Sequence, residues 1–115
     1  MDRRLDLLKG TIGRLAASPE VQIRYLDSIF DREGGASETD ELALEFDDAF
    51  SSHQDMVSLG LLTITQVRAI EPLDKLLASF SGPAHGDFWT RSALVTDARW
   101  DQIRSAAAVA LAAFN

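Results

Sequence analysis

The 115 residues have the length of one domain, and their 46% apolar and 25% charged content is ordinary for a folded globular chain. The sequence contains no cysteine, which excludes disulfides, thiolate metal sites and a cysteine nucleophile. Its net charge of −7 disfavours nucleic acid or an anionic membrane as a partner, and no apolar run approaches the ~20 residues of a membrane span. We therefore expect a cytoplasmic protein with a single helical domain over residues 1–115.

The apolar spacing is helical nearly everywhere, which predicts an all-α fold, a compact bundle of five or six mostly antiparallel helices. Helix one is predicted from Asp2 to Ala17. Ser18 and Pro19 form a typical helix start, so helix two is predicted to follow as far as Phe30. The residues expected to be buried on these two helices are Leu5, Leu8, Ile12 and Leu15, then Val21 or Ile23, Leu26, Ile29 and Phe30.

The segment 32–37 is predicted to be a loop because its paired glycines end a helix. Ser37 and Thr39 are alternative N-caps for helix three. We expect this helix to run from Asp40 to Phe50, with Val57 as an alternative end, and a turn to follow at 59–60.

Thr63 and Gln66 have the spacing of a capping box at the start of helix four. Pro72 lies inside that helix and predicts a kink or a break near Ile70, because proline has no N–H to donate. The expected core face of this helix consists of Ile64, Val67, Ile70, Leu73, Leu76, Leu77 and Phe80.

After a predicted loop over 81–86, Asp87 is expected to cap helix five, which would extend over 88–95. Phe88 and Trp89 are adjacent on this helix, so both cannot point into the core. Thr96 or Asp97 is expected to cap the last helix. Its expected core face consists of Trp100, Ile103, Ala107, Ala110 or Leu111, and Phe114.

The negative charge is concentrated in one segment. Between Glu33 and Val67 there are eight Asp and Glu residues and no Lys or Arg, whereas the rest of the chain is nearly neutral. Three acids of helix three share one face by their i, i+4, i+7 spacing and two others flank it. The face is formed by Glu41, Glu45 and Asp48, and the flanking acids are Asp40 and Asp47.

Two interpretations of this acidic face remain open. Its charges are neutralised within the chain by Arg32, Arg91 or Arg99, or they form a docking surface for a basic protein. In the second case Asp55 extends the surface beyond helix three.

Catalytic and metal-binding patterns are absent from the sequence. It has no Glu-x-x-His pair, EF-hand loop, phosphate-binding glycine loop or nucleophile elbow. Asp47, Asp48, His53 and Asp55 match no known ligand spacing. We therefore expect no cofactor, no metal and no enzyme activity, and a carboxylate-based metal binder or enzyme is the weakest alternative.

These features predict a non-enzymatic interaction domain that binds a basic partner protein through the acidic face at about 38–55. Its general character is similar to that of toxin-neutralising immunity proteins and phage-encoded inhibitors, a likeness of class without a shared motif. The alternative is a self-associating structural module, a homodimer formed through the apolar stretch 59–62 or the alanine-rich last helix. The expected partner-binding residues are Asp40, Glu41, Glu45, Asp47, Asp48 and Asp55.

Overall fold

The structure is a computed structural model that describes residues 2–29 and 39–114. The described residues form seven α-helices and no strand, which confirms the all-α prediction. The number of helices exceeds the predicted five or six. Phe30, Arg32, Ser37 and the predicted loop over 32–37 lie outside the described residues. The α-helices are α1 (Arg4–Ala16), α2 (Pro19–Ile29), α3 (Glu41–Phe50), α4 (His53–Ser58), α5 (Ile64–Ser79), α6 (Arg91–Thr96) and α7 (Ala98–Ala112), and a 3₁₀ helix spans Pro83–Phe88.

The helices pack around α1 and α7. The last helix contacts both α1 and α5, and α1 also contacts α3, while α2 packs against α6. The core contains most of the residues predicted for it on α1 and α7, while Leu5 and Phe114 pack against it partly buried. The small alanines of α7 favour close packing against its neighbours. The largest completely buried side chains are Trp100, Phe46, Phe88, Leu8, Ile12, Leu15, Leu26, Leu42, Met56, Ile70, Leu73 and Leu94.

Local capping determines several helix starts as predicted. The Ser18 hydroxyl accepts a hydrogen bond from the Val21 N–H at 3.3 Å at the start of α2. Thr63 and Gln66 form a complete capping box on α5, and the Gln66 amide also donates to the Ala113 carbonyl at 3.3 Å. This second bond attaches the start of α5 to the end of α7.

The cap of the last helix and the glycines in the turns before and after α5 also agree with the predictions. Asp97 caps α7 by accepting the Arg99 N–H at 2.8 Å, which confirms one of the two predicted caps. Gly60 and Gly82 adopt φ of 76° and 101°, which favours glycine at both turns because a Cβ is strained in that conformation.

The alternative end of helix three at Val57 is wrong, because α3 ends at Phe50 and α4 begins at His53. The Ser51 hydroxyl donates to the Asp48 carbonyl at 2.7 Å, and the Ser52 hydroxyl donates to the Ala49 carbonyl at 3.4 Å. Such side-chain bonds to the preceding turn compete with continued helical pairing. Short polar residues therefore interrupt a sequence whose apolar spacing would allow one longer helix.

Of the kink or break predicted near Ile70, the break is wrong, since α5 continues from Ile64 to Ser79. Pro72 and Arg68 are both exposed. The carbonyl of Arg68, which loses its helical donor at Pro72, is thus on the solvent side of the helix, where water can replace the missing N–H.

The predicted helix over 88–95 is shorter and begins later. Phe88 ends the 3₁₀ helix, and α6 starts at Arg91 with Thr90 as its cap, whose hydroxyl accepts the Ala93 N–H at 3.0 Å. Asp87 instead pairs with Arg99 at 3.0 Å. The expectation that Phe88 and Trp89 differ in burial is confirmed: Phe88 is completely buried and Trp89 is half-buried.

Two residues predicted for the core, Ile29 and Ile64, are exposed. Of the alternatives Val21 and Ile23, Ile23 packs against the core and Val21 is exposed. On α2, the completely buried polar residue is Gln22. Its amide nitrogen donates to the carbonyls of Arg14 and Leu15 at 3.0 and 3.1 Å, and its carbonyl accepts from Arg104 Nε at 3.1 Å. The orientation of α2 thus allows Gln22 to bond to two carbonyls of the last turn of α1, which apolar periodicity does not reveal.

We predict that Gln22→Leu lowers the free energy of unfolding by about 2 kcal/mol. The Leu15 carbonyl and Arg104 Nε lose the hydrogen bond to Gln22, and the Arg14 carbonyl keeps only the Ala17 N–H at 3.3 Å. Urea unfolding measures the change. Gln102→Leu, on the exposed face of α7, is the matched control and is expected to be nearly neutral. Equal stability of the two variants would contradict the role assigned to Gln22.

Candidate functional site

The acids of α3 lie on its two flanks. Leu42, Phe46 and Phe50 are spaced by four residues and are all buried, which turns the remaining faces outward. Asp40 and Asp47 line a groove that also contains residues of α5, and Glu45 and Asp48 line a furrow that also contains residues of α1. The predicted acidic surface is therefore divided by geometry into two parts.

The furrow beside α1 contains basic residues of its own. It has a volume of about 320 Å³, and Arg4 and Arg14 line it together with Glu45 and Asp48. We call it the α1–α3 furrow. On this flank Arg14 pairs with Glu45, whereas Arg4 pairs with Asp2 of its own segment.

Glu45 belongs to an internal network that joins α1, α2 and α3. Arg14 Nε lies 3.5 Å from Glu45 Oε1, and the Tyr25 hydroxyl donates to Glu45 Oε2 at 2.5 Å. The Arg14 guanidinium also lies over the Tyr25 ring, 4.5 Å from its centre. Burial and the hydrogen bond to Glu45 raise the pKa of Tyr25. The charge of Glu45 is therefore engaged within the fold.

Of the arginines proposed from sequence to neutralise the acidic face, Arg91 and Arg99 form ion pairs with acids outside α3, and Arg32 lies outside the described residues. Arg91 forms an ion pair with Asp27. Arg99 pairs with Asp97 at 2.6 Å and with Asp87 at 3.0 Å. Within residues 2–29 and 39–114, Arg14 pairs with an acid of α3, and the sequence did not indicate this arginine.

Glu41 and Asp55 are also electrostatically linked to α1 or α2. The charge of Glu41 contributes to the raised pKa of Tyr25 on α2, after burial and the stronger influence of Glu45. Asp55 on α4 is exposed, and its charge contributes to the raised pKa of Arg4, which depends first on the hydrogen bond from Arg4 to Asp2. Asp55 thus lies close enough to attract a basic residue of α1, whereas Glu41 acts on Tyr25 by repulsion.

The groove beside α5 has a different character. It has a volume of about 430 Å³, and three carboxylates line it. They are Asp40 at the N-cap of α3, Asp47 within α3 and Asp74 on α5. We call it the α3–α5 groove. Its remaining lining is mostly apolar and consists of Ala43, Leu44, Phe46, Leu77, Ala78, Ser81, Gly82 and Trp89.

The three carboxylates of the α3–α5 groove lack a cationic partner within the described part of the chain. No Lys, Arg or His of residues 2–29 and 39–114 lies within ion-pair distance of Asp40, Asp47 or Asp74. Burial raises the pKa of Asp40. The pKa of Asp74 is raised first by burial and then by the charge of Asp47, while His53 acts in the opposite direction. The groove thus holds negative charge that no cationic side chain of the described residues pairs with.

Asp74 is the residue of this site that sequence reasoning missed. It lies in α5, outside the acidic segment, and the sequence pattern places it on a helix with ordinary charge balance. The one available signal is that Glu71 and Asp74 are three residues apart and so share a helix face. Nothing in the spacing indicates that this face is next to α3.

Metal-ligand clusters and membrane-spanning helices are both absent from the described residues. Within residues 2–29 and 39–114, no group of three or more His, Asp or Glu side chains is arranged to hold a metal ion. In the same residues, no helix combines the length and the apolar character needed to cross a bilayer. The metal-binding alternative therefore has no ligand set among these residues.

Comparison of this chain with protein families, with curated proteins and with solved structures finds no match. Its function is therefore inferred from the geometry and electrostatics of its own side chains.

We predict that Asp74→Asn raises the free energy of unfolding at pH 7, because it removes a half-buried charge that Asp47 and Glu71 repel. A carboxyl group whose pKa is raised by folding destabilises the native state at pH values above that pKa, and the penalty disappears as it becomes protonated. The gain should therefore shrink between pH 7 and about pH 3, below the ordinary pKa of aspartate. Urea unfolding at both pH values measures it, and a pH-independent or negative effect would contradict the prediction.

Proposed function

We propose that this protein is a non-enzymatic interaction domain that binds a basic partner protein through the acidic surface of α3. The observation that carries the proposal is the difference between the two flanks of α3. The α1–α3 furrow contains its own arginines, whereas the carboxylates of the α3–α5 groove have no cationic partner in the described residues. A basic surface on another protein would complete this charge pattern.

The geometry suggests different roles for the predicted contact residues. Asp40 and Asp47 form the centre, because they line the groove without an ion pair in the described residues. Asp48 and Asp55 are exposed and Glu41 is half-buried, so they contribute to the surrounding field. Glu45 supports the surface from within, since Arg14 and Tyr25 engage its carboxylate.

Charge would mainly accelerate and orient the encounter, while apolar contacts would supply most of the affinity. The α3–α5 groove offers such contacts beside its acids. Leu44 is 52% exposed, and Trp89 is half-buried at the groove lining. An exposed leucine and a tryptophan next to unpaired carboxylates support binding of a partner that is basic and partly apolar.

The proposed partner has a surface rich in Arg and Lys, such as a surface that otherwise holds nucleic acid. A protein that covers such a surface would act as an inhibitor or as an immunity-type neutraliser. We place the complex in the cytoplasm, in accordance with a chain that contains no cysteine.

The test begins with capture of partners from the native host's lysate at low and high salt, followed by calorimetry with the purified partner. We predict that Asp40→Asn with Asp47→Asn weakens binding about tenfold and reduces its salt dependence. The matched control is Asp6→Asn with Glu20→Gln, which removes the same charge from exposed positions of α1 and α2. Equal affinity of both double variants, or binding insensitive to salt, would contradict the proposal.

A second candidate function, self-association, is favoured by two exposed apolar residues around the turn before α5. Leu59 is 61% exposed and Ile64 is 53% exposed. The alanine-rich face of α7 is less suited to this function, because Ala107 and Ala110 are buried within the chain.

If the protein self-associates, light scattering should give a dimer mass that falls when the protein is diluted. The double substitution Leu59→Ser with Ile64→Ser should lower the mass in the same way. Val109→Ser, at a residue that is exposed on α7, is the control and should leave the mass unchanged. A monomeric mass at all concentrations would exclude this candidate.

A further inference from the structure

We propose that the α3–α5 groove holds one arginine side chain of the partner, with the guanidinium between Asp47 and Asp74 and the methylene groups against Leu44, Leu77 and Trp89. This inference rests on the proposed function and adds to it the position and chemistry of the anchoring residue. It also assigns a binding role to Asp74, which lies outside the acidic segment.

The shape of the groove suits a ligand that is apolar along its length and positive at its end. Its volume of about 430 Å³ lies in the range of pockets that enclose a small ligand or a few side chains. Leu44, Phe46, Leu77 and Trp89 supply apolar lining, and carboxylates lie on both helices that border it. Lysine and arginine are the side chains that combine an apolar stem with a charged head.

The charges of the groove favour a cation over any other occupant. Asp47 and Asp74 come from different helices and repel each other, which contributes to the raised pKa of Asp74. A neutral or anionic ligand would leave this repulsion in place and would desolvate the carboxylates without compensation. A cation between them relieves the repulsion and gains two attractive contacts.

The α1–α3 furrow provides a comparison within the same molecule. It borders the same helix and has a similar size, about 320 Å³. Arg4 and Arg14 already line it, and Arg14 pairs with Glu45. On one flank of α3 the fold itself thus places arginine beside the acids, and on the other flank, among the described residues, it does not.

Arginine fits this groove better than lysine for two reasons. Its planar guanidinium can donate to two separate carboxylates, such as those of Asp47 and Asp74, while the lysine ammonium acts as a point charge. It also stacks on aromatic rings, and Trp89 provides one at the groove lining. A metal ion is a weaker candidate, because these acids do not form a ligand cluster among the described residues.

The experiment titrates the whole isotope-labelled chain with the peptide acetyl-Leu-Arg-Leu-amide and follows backbone amide shifts by NMR. We expect saturable shifts at Ala43, Ala78 and Trp89, three residues that line the groove. The same peptide with citrulline in place of arginine keeps the shape and loses the charge, and it should cause far smaller shifts. Absence of saturable shifts up to about 10 mM peptide, or equal shifts with citrulline, would overturn the inference.

Single variants locate the cation. Asp47→Asn and Asp74→Asn should each weaken the peptide about three- to tenfold. Asp6→Asn removes one charge from an exposed position that lines neither concavity and should change affinity less than about twofold. Because we expect Asp74→Asn to stabilise the fold, its loss of binding cannot be attributed to unfolding. An effect of Asp6→Asn as large as that of Asp74→Asn would overturn the inference.

The purified partner separates this inference from the proposed function. Weaker partner binding in Asp74→Asn, with Asp6→Asn close to wild type, supports the groove as the anchor. Unchanged partner binding in Asp74→Asn together with weaker binding in Asp48→Asn leaves the proposed function standing and overturns the anchor in the α3–α5 groove. If neither these variants nor the Asp40→Asn/Asp47→Asn pair changes the partner's affinity, both the proposed function and the inference fail.

Discussion

The acidic surface of this protein depends on the burial of one face of α3. Leu42, Phe46 and Phe50 are held in the core, and the Phe46 and Phe50 rings stack with centres 5.5 Å apart. This packing fixes the rotation of the helix about its axis, so the polar positions between these residues must lie on its two sides. A helix rotated by a quarter turn would either bury carboxylates or present one continuous acidic face.

What the two flanks can do is decided by the helices beside them. On one side α1 supplies Arg14, which pairs with Glu45 and lies over Tyr25. Glu45 therefore also links α3 to α1. On the other side α5 supplies Asp74, which adds negative charge to that of Asp47. Retaining a repulsive pair beside an apolar groove opposes stability, and such a conflict is expected where a surface is shaped for binding.

The sequence was most informative where a local interaction determines the outcome. The capping box of Thr63 and Gln66 and the cap at Asp97 are formed by neighbours in the chain, and both are present. Two kinds of contact were missed: the local bonds of Ser51 and Ser52 after the end of α3, and the distant bonds of the buried Gln22 to the end of α1 and to Arg104. The same limitation applies to the candidate site, in which Asp40 and Asp47 were predicted and Asp74 was not.

By itself, the sequence determined the helical class, most helix boundaries and the concentration of acids around α3, because periodicity, capping and charge are properties of neighbouring residues. Only the tertiary structure decided which arginine meets which acid, and that Asp47 shares a groove with Asp74. Arg14 and Glu45 are 31 positions apart and Asp47 and Asp74 are 27 apart, so their proximity depends on how the helices pack. Packing is a collective result of all buried side chains, and no local pattern encodes it.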